Sequence, residues 1–426
     1  MKLRAFRSLR YAAASAGPPS ETSAPPYSDP DPFDHASHRT SNPYTVLELL
    51  TTDPAVTTAG RYATARATLE RWSRTGVLAE DDEPGLVVYE QRDGALGHVQ
   101  RGLVGVIALT DVDEGRLLLH EDVDGARARA RANRLRHVPV DLTPVVAVHL
   151  GAPDIVFETL ESVCAARPDI DFTDEQDVVH RLWRITDRDL IDALVQGLAD
   201  VTAVLADGHH RLAAARRLAR DLDDAPSGSG HTLAMVLDAT HEGPRLRAVH
   251  RLVRWTREDL PDRLAEMDGV SVERWPGSAS DLAAELERPG PRRFGVVTTT
   301  GTWLVALHNG TGEPLLVDLG IPDVLRQLDM VVLREVLFPV MGVVDDRAIA
   351  EVDAAVTALT APAATDGTVP PDALVLLSPP TVQQVLEVAR SGLRMPAKTT
   401  WFWPKPRAGL VMRRLDTEVP AERTSP

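Results

Sequence analysis

One cysteine, Cys164, stands in a chain of 426 residues, which excludes an intramolecular disulfide and any metal site built from several thiolates. Lysine is nearly as scarce, with Lys2, Lys398 and Lys405 the three in the chain. Aromatic residues make up 4% of the sequence, and no extended apolar stripe marks a dimer face, although a homodimer fits the general habit of soluble proteins. No apolar run approaches the roughly 18 residues needed to span a bilayer, so no membrane segment is expected. Basic side chains number 46 against 62 acidic ones, a net charge of −16 that disfavours binding to nucleic acid or anionic lipid. The opening MKLRAFRSLRYAAASAG carries no acid, but no apolar stretch of signal-peptide length follows its arginines. A cytoplasmic location is therefore expected, and the lone thiol suits a reducing compartment.

What is present reads as α+β. The length exceeds one typical core and suggests two closely joined domains or one large domain. Residues 17–43 are rich in Pro, Ser and Asp and read as an extended loop or surface belt. Helical spacing covers 59–75, with Gly76 as a stop, and strands are expected at 85–91 and 102–109 around a turn at Asp93-Gly94. An arginine-rich helix follows at 123–136, then a buried strand at 143–150 and an inserted helical segment over about 151–200. The stretch DAPSGSGH at 224–231 is the best linker, dividing an N-terminal region, 1–223, from a C-terminal α/β region, 232–426, that would close over the site. In that second region long helices are expected over 322–338 and 346–358.

The string VTAVLADGHHRL at 201–212 places a strand, an acid, a glycine, two histidines and an arginine in succession. A strand running into a helix through Gly208 delivers free N–H groups and side chains to one sheet edge, where an anion is stabilised. Arg211 could contact phosphate or carboxylate through two hydrogen bonds, with His209 and His210 as further donors. Asp207 could hold a magnesium ion or serve as a helix cap. Adjacent histidines on a helix point apart, so a zinc site is not indicated. A second polar cluster, LLLHEDVDGARARAR, lies at 117–131. Glu121 is a candidate general base beside His120, with Arg131 on the following helix, although the same residues suit a solvated helix start. The string MPAKTTWFWPKP at 395–406 holds two of the three lysines. Lys398 or Lys405 could reach a phosphate there while Trp401 closes over a ligand, or the tryptophans could pack as an edge strand before Pro404. His250-Arg251 in AVHRLV could line the site or end a strand.

Taken together, the HE pair, the arginine helix, the strand beginning at Pro144-Val145 and DGHHR resemble the ParB/sulfiredoxin-type fold of free serine kinases. Along nearly its whole length the chain more closely resembles the bacterial family called domain of unknown function 1015. The matching strings include LRAFRSLRY, APPYSD, VVYEQ, AVHRLV, LDMVVLREVL and MPAKTTWFWPKPRAGLVMRRL. The resemblance implies a ParB/sulfiredoxin-like mixed-sheet core and phosphoryl transfer to free L-serine or a similar small hydroxylated metabolite. It implies Mg2+ as cofactor and ATP, ADP or pyrophosphate as donor. It further implies Glu121 and Asp207 as catalytic residues, with Asp207 also the metal ligand. Gly208, His209, His210, Arg211, Arg131 and Lys398 would hold the phosphate or nucleotide, and His120, Arg251 and Trp401 the substrate. The chain departs from the family pattern at Val123, at Ala130 and at PPYSD. The alternative is a non-catalytic, ParB-like nucleotide-binding or regulatory protein. A sulfiredoxin-like reductase is excluded because His209 stands where the catalytic cysteine would be.

Overall fold

The computed structural model describes residues 1–25, 42–50, 57–221, 226–255, 260–308, 310–361 and 369–420. Most of the 17–43 belt, the PPYSD string and the start of the 224–231 linker lie outside them. Two compact units emerge, Met1–Arg245 with Pro404–Pro426, and Leu246–Trp403. The division expected at 224–231 therefore falls inside the first unit. The reason is visible in the next strand, His231–Asp238, which pairs on both edges and lies within the sheet.

The first unit is built on a nine-stranded sheet. Its order is Leu117–Leu118, Ala203–Asp207, Val145–His149, His231–Asp238, His98–Ala108, Leu86–Asp93, Val178–Ile185, Ile170–Thr173, with Leu3–Arg4 added against His98–Ala108. Two pairings are parallel and the others antiparallel, which makes the sheet mixed, as expected. Val145–His149 is buried at every position, the signature of a strand covered on both faces rather than an alternating one. The segment 151–200, expected to be helical, carries helices Asp154–Cys164 and Arg188–Leu198 but also the strands Ile170–Thr173 and Val178–Ile185. Those strands extend the sheet because Val178–Ile185 pairs residue for residue with Leu86–Asp93. Helices Gly125–His137 and His209–Asp221 pack together through Ala132, Leu135, Ala214 and Leu218, with Leu415 in the same cluster.

The second unit carries a six-stranded sheet ordered Val270–Arg274, Gly301–Leu307, Arg293–Thr298, Ala373–Leu376, His250–Trp255, Val343–Ile349. Every pairing in it is antiparallel, so this unit is α+β rather than α/β. The helix expected over 322–338 is broken into Asp323–Arg326, Asp329–Val332 and a π-helical turn, Leu333–Leu337. The Arg292 guanidinium explains the first break. It donates to the carbonyls of Arg326 and Gln327 at 3.2 and 3.0 Å and pairs with Asp329 at 3.0 Å, ending one helix and fixing the start of the next. The helix expected over 346–358 begins at Val352, because Val343–Ile349 is recruited as an edge strand beside His250–Trp255. Among the described residues no helix is long and apolar enough to cross a membrane.

Candidate functional site

The strand Ala203–Asp207 ends and helix His209–Asp221 begins with one residue between them. That residue is Gly208, at φ 95°. A Cβ there would also stand 2.9 Å from Val145 Cγ1, so both backbone angle and space require glycine. The sharp turn sets the start of a 13-residue helix, the positive end of its dipole, directly after Asp207.

Asp207 is the centre of the cluster. Lys405 Nζ donates to its Oδ1 at 2.7 Å, and Arg211 Nη2 donates to its Oδ2. Burial alone would raise the pKa of this carboxyl, but the charges of Lys405 and Arg211 outweigh it and hold the group well below the usual carboxylate range. Arg211 is engaged on its other side by the carbonyls of Thr143 at 3.0 Å and of Pro144. Its guanidinium thus ties the turn to the start of the Val145–His149 strand. Burial lowers the Arg211 pKa, and Asp207 opposes that shift.

The HE cluster meets the same turn. His120 is fully buried, and its ring lies edge-on to that of His209, with centroids 4.6 Å apart and planes at 79°. Glu121 Oε1 stands 4.0 Å from His120 Nε2, with the side chain 22% exposed. His210 Nε2 accepts from the Asp124 amide at 3.3 Å, while the Asp124 side chain caps helix Gly125–His137 through the amides of Ala126 and Arg127. Arg131 lies half-buried on that helix, and its charge lowers the pKa of Arg211. Glu121, His120, Asp207 to Arg211 and Arg131 are therefore brought together within one unit.

Three candidates, Lys398, Arg251 and Trp401, belong to the second unit. Arg251 is 1% exposed, pairs with Asp346 at 3.2 Å and donates to the Lys398 carbonyl at 2.9 Å. Trp401 sits in the short strand Trp401–Trp403, and the Arg247 guanidinium covers the rings of Trp401 and Trp403 at 5.8 and 5.5 Å. Of the two lysines in MPAKTTWFWPKP, the one at Asp207 is Lys405. Residue type does not separate them, because only the return of 404–420 to the first unit decides which arrives.

As a magnesium ligand Asp207 is a poor fit, since both its oxygens are held in ion pairs. Among the described residues no three His, Cys, Asp or Glu side chains are grouped to hold a metal. The arrangement gathers two cations, Lys405 and Arg211, on the Asp207 carboxylate at the start of a helix, with Glu121 linked to the same turn through His120 and His209.

Solved structures similar to this chain include a free serine kinase in complex with AMP, 13% identical over 70% of this chain and 86% of that one, with a TM-score of 0.33. A mutant free serine kinase in complex with ADP is 12% identical over 70% and 87%, with a TM-score of 0.33. A conserved hypothetical protein from Pyrococcus furiosus is 12% identical over 74% and 96%, with a TM-score of 0.34. No curated protein matches the chain. Residues 3–331 match the family described as "Protein of unknown function (DUF1015)", and the chain belongs to that family.

Proposed function

We propose that the protein is a kinase-like phosphotransferase, moving a phosphoryl group from ATP, ADP or pyrophosphate to free L-serine or a similar small hydroxylated metabolite. The observation that carries this reading is the convergence of Lys405 Nζ and the Arg211 guanidinium on Asp207 at the first turn of helix His209–Asp221. Phosphoryl transfer needs positioning and neutralisation of equatorial oxygen charge more than covalent chemistry. Lys405, the turn's amides and His209 supply positive potential where those oxygens would rest. Arg211 acts one step back, keeping Asp207 ionised and the turn fixed to Thr143 and Pro144.

Glu121 accepts the acceptor hydroxyl's proton as its oxygen forms the new bond to phosphorus. The bond from phosphorus to the donor's bridging oxygen breaks, and the leaving phosphate keeps the electron pair. His120, buried between Glu121 and the His209 ring, sets the position of that base. The ParB/sulfiredoxin-like assignment of the core belongs to this same reading, and its support is the order of HE, arginine helix, Pro144-Val145 strand and DGHHR around the mixed sheet.

Phosphorus NMR on mixtures of the protein with L-serine and each donor, with and without magnesium, tests the reading. An O-phosphoserine resonance from one donor, lost in Glu121→Gln, is the expected result. Donor binding without product from any hydroxylated acceptor would favour the non-catalytic, ParB-like nucleotide-binding alternative.

A further inference from the structure

Residues 404–407 are held by a set of buried polar side chains of the first unit. Gln100, 0% exposed, donates from Nε2 to the Pro404 carbonyl at 3.0 Å and to Gln91 Oε1 at 2.8 Å. Gln91, 1% exposed, donates from Nε2 to the carbonyl of Lys405 itself at 3.0 Å. Two residues on, the Arg407 amide donates to the Tyr89 hydroxyl at 3.4 Å. The Arg407 side chain, 3% exposed, reaches Ser23 Oγ through Nε and Asp174 Oδ2 through Nη1, both at 3.0 Å.

The ring of contacts closes on itself. Asp174 is ionised: burial would raise its pKa, but His180 and the amides of Val178 and Gln176 bring it down to about 2. With Asp174 ionised, His180 Nε2 is the donor to Asp174 Oδ2 at 2.9 Å, and burial lowers the pKa of this imidazole. Its Nδ1 is then the acceptor for the Tyr89 hydroxyl at 2.8 Å. The donors named here each meet an acceptor, while Gln100 Oε1 stays unpaired among the described residues, and none of Tyr89, Gln91, Gln100 or His180 is more than 1% exposed. Burying so many polar groups around a four-residue segment costs free energy unless every one is paired, and such paired networks fix a single geometry.

We infer that the buried set Gln91, Gln100, Tyr89, His180, Asp174 and Arg407 is the positioning device that carries Lys405 to Asp207. The carbonyl of Lys405 is held by Gln91, while its Nζ meets the Asp207 carboxylate at 2.7 Å. The inference rests on the proposed phosphoryl site for its purpose, but its geometry does not depend on that chemistry. These are positioning residues: none of them touches Asp207.

The scarcity of lysine makes the test direct, because the full chain labelled with [15N]lysine gives three side-chain ammonium signals. Lys405→Arg identifies the Lys405 signal by its loss. In Gln91→Leu the Lys405 resonance is expected to shift to that of a solvated lysine and its ammonium protons to exchange several-fold faster, while the Lys2 signal stays in place. ADP affinity falls several-fold in the same variant. Tyr89→Phe, which keeps the ring, is expected to produce the same change at smaller amplitude, and it serves if Gln91→Leu does not fold. A Lys405 signal unmoved in either folded variant overturns the inference. If Lys405 moves as expected while wild-type protein neither binds ADP nor yields phosphoserine, the positioning role stands and the phosphoryl-transfer reading falls.

Discussion

Lys405 in the first unit and Lys398 in the second come from one short string, yet the structure uses them in different ways. Lys405 is delivered to a carboxylate by a buried hydrogen-bond network, with its own carbonyl fixed by Gln91. Lys398 sits at φ 57°, a left-handed backbone that side-chain-bearing residues rarely adopt, and its carbonyl accepts from the buried Arg251. Arg251 and Arg211 contrast in the same way. Arg211 ties the Asp207 turn to the Thr143 and Pro144 carbonyls, whereas Arg251 neutralises Asp346 and ties 397–398 to the second unit's sheet. A cation near an interesting motif thus says little until its anchoring is known.

The largest effect expected is on turnover. Glu121→Gln should lower the rate by about 10²–10⁴-fold, the usual loss of a general base, with the thermal melt nearly unchanged because the side chain is partly exposed. A melt that collapses with the rate would make Glu121 a structural residue. Next, Asp207→Asn leaves Lys405 and Arg211 without their common counter-charge. Breaking a buried pair costs roughly 3–5 kcal/mol, and with Asp207 one-fifth exposed a loss of about 3 kcal/mol in denaturant unfolding is expected. An unchanged midpoint would show that the two ion pairs contribute nothing net.

A smaller effect separates the units by pH. Burial holds the His250 pKa at about 4, and its Nδ1 accepts from the Leu377 amide at 3.2 Å, so the folded second unit needs this imidazole neutral. Because the folded pKa is depressed, the stabilisation is complete above about 6.5 and is lost as pH falls towards 4. At pH 5 the loss amounts to about 2 kcal/mol, from roughly 1.4 kcal/mol per pH unit. Denaturant unfolding of the second unit at pH 7 and pH 5 measures it, and a difference that persists undiminished in His250→Gln would rule His250 out. Smallest of all, Lys398→Gly removes a side chain from a left-handed position. It should change stability by no more than about 1 kcal/mol, most plainly upward, and should leave ADP affinity untouched. Weakened ADP binding would show that Lys398 takes part in holding the donor.

Local pattern carried much of this architecture. Helix Thr58–Arg74 with Gly76 at φ 72° and the strand–turn–helix at 203–221 follow from spacing and turn residues alone. The clustering of Glu121 and His120 with DGHHR was legible too, through the order of motifs. Three features were not. The breaks within 322–338 depend on Arg292, which is distant in sequence and supplies the donors that end the first helix. Val343–Ile349 becomes a strand because a partner edge is available, which overrides its helical pattern. Lys405 is singled out only by long-range hydrogen bonds from Gln91 and Gln100, residues that read as ordinary polar positions of their strands.

The most direct test of the central claim, that the DGHHR turn with Lys405 is where a phosphoryl donor binds, is titration of ADP into [15N]lysine-labelled protein. The Lys405 ammonium signal is expected to move saturably with ADP while Lys2 and Lys398 remain in place. A Lys405 signal indifferent to saturating ADP, or movement confined to Lys398, would contradict it.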